Sequence, residues 1–318
     1  MNQYMTHWFY PYKGKFHPQM TRALINIIGL KKGDVLLDPF SGSGTAAVEG
    51  ALLGLKTVCF DVSPLCVLMG KIKANAMHHL AKITAYQKTA QNSRAEDIPI
   101  ADAMANPAIG FEMLARLISL SDEARRGRNY EKQLLANRKK MLESITMMRT
   151  GCKEFAISPP PATVKIGDAR RLPLADESVD GVVTSPPYSI ALNYVANDEH
   201  ALRALGFNPD QAAENFIGVR GRGEDRLACY DEDMRLAYGE IARVLKPDAQ
   251  AVIVLGNITM NGTEVGTVGR CEEIFTDMGF CLAEKINKII FGLYNVMQRE
   301  TILIFKKKSG KNERRKNT

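Results

Sequence analysis

Val35-Leu36-Leu37-Asp38-Pro39-Phe40-Ser41-Gly42-Ser43-Gly44-Thr45 is the stretch that decides the fold. Three apolar residues read as a buried strand, the two glycines as a turn, and Ala46 to Leu53 as the helix that the turn opens. In this geometry small residues let a nucleotide-like ligand approach the backbone, and the first helical N–H groups face it. Gly42, Gly44 and Ala47 also satisfy G-x-G-x-x-G/A, so the glycines alone do not separate a nicotinamide dinucleotide from other adenosine ligands. A second strand, Thr57 to Phe60, ends in Asp61. That carboxylate is placed to accept from two ribose hydroxyls, or else caps the following helix. A third, Thr163 to Gly167, ends in Asp168, which either accepts from an adenine amine or closes a turn.

Val179 to Thr184 reads as another buried strand, and it runs into Ser185-Pro186-Pro187-Tyr188. Two prolines lock φ and remove two backbone donors, so the carbonyls of Ser185 and Pro186 are held rigid with no adjacent N–H to compete for an incoming donor. A hydroxyl, fixed carbonyl oxygens and an aromatic face then meet at one strand end, a receptor for a planar ring that bears an NH₂ group. Standing alone, the four residues would read as a turn with a core Tyr.

They do not stand alone. The order DPFSGSGT (38–45), Asp61, GDARRLP (167–173) and TSPPY (184–188) resembles the S-adenosylmethionine-dependent amino-methyltransferases that modify exocyclic amines of nucleic-acid bases. Ser185, where other members have Asp or Asn, is similar to the cytosine-N4 DNA methyltransferases. Tyr12-Lys13-Gly14-Lys15-Phe16-His17-Pro18 looks like the family segment that lines the methionine end of the cofactor. The resemblance covers roughly residues 12–75 and 160–307. It implies an α/β, Rossmann-like class I methyltransferase fold: a mixed seven-stranded sheet with one C-terminal antiparallel strand, plus a helical insertion. It also implies S-adenosylmethionine as cofactor and DNA as partner, allows a cognate restriction endonuclease, and leaves monomer and homodimer open.

The resemblance places the catalytic group at Ser185, Pro186, Pro187 and Tyr188, and the cofactor group along the first motif from Asp38 through Gly42 and Gly44, with Asp61 and Asp168. Phe40 packs on the methionine part or lies in the core beneath the turn. Lys13 or Lys15 pairs with the methionine carboxylate or stays a solvated lysine. Thr45 caps its helix or touches that carboxylate. His17, placed with Lys15 in the cofactor-binding group, reads as a structural hydrogen-bonding group rather than a base, and Asn193 and Tyr194 either touch a flanking nucleotide or pack.

The chemistry stands without the family. An exocyclic amine is a poor nucleophile because its lone pair is delocalised into the ring, and attack on a sulfonium methyl requires it to pyramidalise. Acceptors aimed at both N–H bonds, here Ser185 Oγ and the Pro186 carbonyl, favour that geometry and stabilise charge developing on nitrogen. The remaining task is in-line positioning. A stacked base cannot reach such a pocket, so it flips out or arrives single-stranded, and Tyr188 replaces the lost stacking. Methylation at cytosine carbon 5 needs a thiolate, usually presented as Pro-Cys, and the sequence contains no Pro-Cys. Adenine N6, the guanine amine of RNA, and a nicotinamide oxidoreductase or non-catalytic adenosine-ligand binder remain as rivals; the last explains Gly42, Gly44 and Asp61 but gives no reason for residues 185–188.

Composition bounds these readings. At 318 residues with 45% hydrophobic content, the chain is long enough for one large domain plus an insertion. No apolar run approaches membrane-spanning length and Met1 to Phe9 lacks a signal-peptide core, so a cytoplasmic protein is expected. Six cysteines without C-x-x-C spacing suit reduced thiols, and no metal is expected. Of the net charge of +7, the tail from Lys306 carries six, leaving a nearly neutral body. Arg125-Arg126-Gly127-Arg128, Arg138-Lys139-Lys140 and Arg220-Gly221-Arg222-Gly223 read as solvated surface or as polyanion contacts.

Organisation follows from where the strand signal stops. Residues 18–29 are an amphipathic helix and another starts at Ser63-Pro64, but 76–150 carries no strand signal and Phe111 to Met148 has apolar residues at helical spacing. Pro159-Pro160-Pro161 closes that stretch. Further on, the pattern predicts helices over 231–245 and 267–278, a buried strand over 251–255, and two last strands near 281–291 and 300–305. The expected organisation is a catalytic domain over 1–75 and 156–307, a helical insertion over 76–155 serving target recognition or dimerisation, and a basic disordered tail over 308–318.

Overall fold

A computed structural model describes residues 4–188, 193–221, 225–260, 263–289 and 299–308. Seven strands form one sheet: β1 (Val35–Asp38), β2 (Lys56–Asp61), β3 (Thr163–Ile166), β4 (Val179–Thr184), β5 (Leu245–Leu255), then, after a small hairpin of β6 (Ile258–Met260) and β7 (Thr263–Val265), β8 (Phe280–Ile289) and β9 (Arg299–Lys307). Their order is β3-β2-β1-β4-β5-β9-β8. β1 to β5 pair in parallel, while β9 runs antiparallel to both β5 and β8, so the sheet is mixed with a single reversed strand. This is the Rossmann-like methyltransferase architecture. The sequence pattern misses the β6–β7 hairpin, whose three-residue strands are too short to show a period, and starts β5 six residues late.

The sheet is covered on both faces, and the side-chain alternation of a strand divides its residues between them. Leu37, Val182, Ile253 and Leu303 enter the core beneath α11 (Asp225–Val244) and α12 (Thr267–Asp277). Leu36, Val183, Val252 and Ile302 face α1 (Pro18–Ile27). A third core packs α2 (Thr45–Leu52) and α3 (Pro64–Asn75) with the helices that follow.

Those helices are α4 (Leu80–Gln87), α5 (Ile100–Ala105), α6 (Pro107–Arg126) and α7 (Tyr130–Glu154), and no strand interrupts them. Local chemistry sets their ends. Asn106 accepts from the Ala108 N–H with Pro107 at the first helical position, Gly127 ends α6 in the left-handed conformation, and Asn129 accepts from the Lys132 N–H to start α7. One arginine from each of two basic clusters named above is tied into the structure here. Arg138 and Arg116 both bond the fully buried Glu112, and Arg125 donates to the carbonyls of Pro11 and Asn197 and to Asp198. Lys307 donates to the carbonyls of Ala242 and Leu245, so the basic tail begins inside β9; its residues 309–318, like Arg222 and Gly223, lie outside the described residues.

Residues 4–16 thread between these layers. Phe9 and Tyr10 are fully buried, Thr6 Oγ1 donates to the Lys73 carbonyl, Trp8 Nε1 donates to Ser144 Oγ, and the Tyr10 hydroxyl donates to Asp198. Inside α2, buried Glu49 accepts from the Tyr4 hydroxyl and Arg22 Nε and bonds His7 Nε2 at 2.7 Å.

Strand order reverses between β1 and β4. The connections leave these neighbours toward opposite edges of the sheet, which opens a crevice beyond their carboxyl ends. The glycine turn follows β1 and the diproline corner follows β4, so the fold delivers both to one place.

Candidate active site

At that crevice lies a solvent-open cleft. Its walls combine Phe40 to Ser43 from the glycine turn, Asp61 from the end of β2, Gly167 to Ala169 beyond β3, and Ser185 and Pro187 beyond β4. The buried Thr184 hydroxyl donates to Asp38 Oδ1 at 2.6 Å, tying the two strand tips together directly.

The turn is shaped by its glycines. Gly42 (φ 47°) and Gly44 (φ 71°) are both left-handed, and a Cβ on Gly44 would sit 2.5 Å from Gly70 Cα, so α2 and α3 cross with nothing between them. Folding the turn over brings the Gly42 N–H to 2.7 Å from Asp61 Oδ2, while the Ser63 N–H lies 2.8 Å from Oδ1. Burial pushes the Asp61 carboxyl up to about 6, although both N–H groups favour its charged form. Asp38, buried and bonded by Thr184 and the Phe40 N–H, is pushed up by burial to about 7. Among the described residues neither carboxylate has a basic partner within ion-pair distance.

Other candidates sit differently. Asp168 lines the cleft, but its two oxygens accept from Arg170 Nε at 3.0 and 2.9 Å and Oδ2 also takes Nη2 at 2.6 Å, leaving little free acceptor capacity for an adenine amine. Lys15 does not line the cleft; its ammonium donates to the carbonyls of His7 and Tyr10, and burial lowers it to about 8. Lys13 donates to Asn197. His17 stands before α1 and bonds Thr21 through its carbonyl. Thr45 is buried behind the turn and donates to the Phe16 carbonyl. Gly44, Pro186 and Tyr188 stay out of the cleft wall as well.

The aromatic wall belongs to other residues. Tyr188 packs against the α11 side of the core, and its hydroxyl accepts from Ser185 Oγ at 3.0 Å and donates to Glu300 Oε1 at 3.1 Å. Tyr12 and Tyr194 line the cleft instead, near-parallel with ring centroids 6.2 Å apart. Tyr194 opens α8 (Tyr194–Asn197), capped by Asn193, whose side chain accepts from the Ala196 N–H. Phe216 and Ile217, between α10 (Pro209–Ala213) and α11, complete the rim after α9 (Glu199–Ala204). Of these, Tyr12 had a sequence signal as the first residue of the segment before the glycine turn, and Asn193 and Tyr194 as residues that touch a flanking nucleotide or pack; Phe216 and Ile217 had none. Glu300 had none, being 112 positions from its partner.

A family model described as UPF0020: RMKL-like, methyltransferase domain, matches residues 9–207. The chain is 37% identical over 67 residues to the type II methyltransferase M.MjaII of Methanocaldococcus jannaschii, covering 21% of this chain and 12% of that protein. It is 40% identical over 55 residues to the tRNA (guanine(10)-N2)-dimethyltransferase of Methanothermobacter thermautotrophicus, covering 17% and 16%. The matched stretches thus span less than a fifth of these relatives' length. A crystal structure of an S-adenosylmethionine-dependent methyltransferase from Methanosarcina mazei aligns over 90% of this chain and 97% of its own, at 13% identity and a TM-score of 0.44.

Proposed function

This chain belongs to the UPF0020 RMKL-like methyltransferase family, with S-adenosylmethionine as its cofactor, and from that premise we propose that it methylates the exocyclic amine of a base in DNA, cytosine N4. The nicotinamide and non-catalytic readings fall with the family assignment. The cleft's chemistry fits the cofactor: Asp38 and Asp61 are carboxylates without basic partners, suited to a ligand that carries a sulfonium, an ammonium and a ribose diol, and Gly42 leaves the wall clear of a side chain. When bound, the cofactor supplies an activated methyl group with a neutral thioether as leaving group.

The observation that carries the proposal is the position of Ser185, a neutral acceptor at the tip of β4 in the same cleft as the glycine turn. Ser185 Oγ accepts one of the amine's N–H bonds, which favours the pyramidal geometry that turns its lone pair toward the methyl. Asp61 holds the ribose hydroxyls, and Phe40 packs on the methionine part. The target base enters flipped out of the duplex, because a base stacked in a helix cannot reach a pocket at the strand tips. Tyr12 and Tyr194 take the stacking role first expected of Tyr188. Residues 76–155 serve target recognition, since sequence specificity needs surface beyond the pocket. Among the described residues no helix is long and apolar enough to cross a membrane, which suits work on cytoplasmic nucleic acid.

Purified protein, labelled S-adenosylmethionine and duplex DNA should yield N4-methylcytosine on nucleoside digestion. N6-methyladenine would move the target base; label confined to tRNA or ribosomal RNA would favour a guanine amine instead, the reading that the tRNA-modifying relative supports.

Cofactor affinity carries its own expectation. Asp61→Ala should weaken S-adenosylmethionine binding by roughly 1–3 kcal/mol, through loss of a charge-assisted hydrogen bond. Because burial raises the folded carboxyl to about 6, the protein loses stability as pH rises through that value, while binding gains as Asp61 ionises. Equilibrium binding should therefore weaken as pH falls through about 6 in the wild type. In Asp61→Asn only the dependence owed to Asp38 should survive, and an unchanged profile would exclude the ribose role.

A further inference from the structure

A hydrogen-bonded chain leads away from the acceptor hydroxyl into the far half of the sheet. Ser185 Oγ lies 3.0 Å from the Tyr188 hydroxyl, which lies 3.1 Å from Glu300 Oε1 on β9. The other carboxylate oxygen, Oε2, is 2.7 Å from Lys288 Nζ on β8. We infer that Glu300 is a positioning residue of the methyl-transfer site, acting through Tyr188 to hold the Ser185 hydroxyl as an acceptor toward the substrate amine; this rests on the amine-methylation reading above.

The directions of the bonds carry the argument. A carboxylate only accepts, so the single Tyr188 proton goes to Glu300. The phenol oxygen is then left to accept, and among the described residues it does so from the Ser185 hydroxyl. With its proton committed to Tyr188, Ser185 Oγ turns lone pairs to the cleft. Without that commitment the hydroxyl rotates, and in some rotamers its hydrogen faces the N–H bonds it must receive. Burial first, and then the Glu300 charge, push the Tyr188 phenol well above its ordinary value, so it keeps the proton that the arrangement requires. Lys288 fixes the carboxylate from its other oxygen and leaves Oε1 for the phenol.

The test follows methyl transfer from labelled cofactor to a mixture of duplex DNA and total RNA, so that a rate is read whichever amine is used. Glu300→Ala and Tyr188→Phe should each lower kcat by about 10- to 100-fold, the scale of one hydrogen bond to a charged group, with KM and cofactor binding unchanged. Because both act through the same hydroxyl, the double variant should be no slower than Tyr188→Phe alone. Glu300→Gln should recover most of the lost turnover, since an amide oxygen accepts from the phenol as a carboxylate does. Additive losses, a Gln variant no better than Ala, or a loss confined to KM would each overturn the inference. Label appearing only in RNA would sink the DNA proposal, while the variant ratios would still decide the role of Glu300. A wild type that labels neither acceptor would overturn both.

Discussion

Ser185→Ala should bind S-adenosylmethionine as tightly as the wild type and lose roughly 10²- to 10³-fold in kcat, the scale seen when one preorganised hydrogen-bonding group is removed from where charge develops. The cofactor walls, Phe40 to Ser43 and Asp61, make no hydrogen bond to this side chain, so the ground state of the cofactor complex should not register its loss. The amine registers it only as nitrogen pyramidalises and becomes positive, because only then does an acceptor on its N–H bond gain strength. Single-turnover transfer and equilibrium cofactor binding separate the two effects. Weakened cofactor binding would put the hydroxyl on the wrong ligand, and unchanged turnover would leave it no chemical part.

The largest expected change in stability lies away from the chemistry. Glu112 is fully buried in α6 and accepts from Arg116 Nε at 2.7 Å, from Gln87 Nε2 at 3.0 Å and from Arg138 Nε at 2.9 Å, with a second contact from Arg138 Nη2. Burial alone would raise its carboxyl, but the bonds from Arg138, Gln87 and Arg116 outweigh it and hold the group below its ordinary range. A depressed folded value means that the stabilisation is present at neutral pH and is lost as pH falls through it. Glu112→Ala strands two buried guanidinium groups and should cost about 3–5 kcal/mol. Glu123→Ala, which breaks the exposed pair with Arg94, should cost less than about 1 kcal/mol. Denaturant midpoints at neutral pH measure both, and equal costs would mean that the buried triad does not hold α6 to α7.

That triad also marks where sequence reading stops. Arg138-Lys139-Lys140 looks like surface charge because three basic residues stand together, yet helical geometry sends Arg138 inward to Glu112 and leaves Lys140 over the Trp8 ring. Partners 26 and 132 positions away have no local signature. The strands, by contrast, were legible because central parallel strands are apolar on both faces, and the glycine turn because left-handed backbone and a close helix crossing demand glycine at 42 and 44. Juxtaposition of the turn with residues 185–188 followed from topology. Tyr188 shows the limit: residue type says that an aromatic is present, while the chain's path turns its hydroxyl to Glu300 and sets Tyr12 and Tyr194 along the cleft. Lys15 is similar: the carbonyls of His7 and Tyr10, which no local pattern announces, accept from its ammonium.

The threading of residues 4–16 bears on synthesis and handling. Tyr10 leaves the ribosome 188 residues ahead of the Asp198 it bonds, and Trp8 precedes Ser144 by 136. Residues 4–16 are therefore among the last to find their place, docking into a slot that later helices build. Removing them would uncork the interior beside the glycine turn, because Phe9 and Tyr10 fill that core.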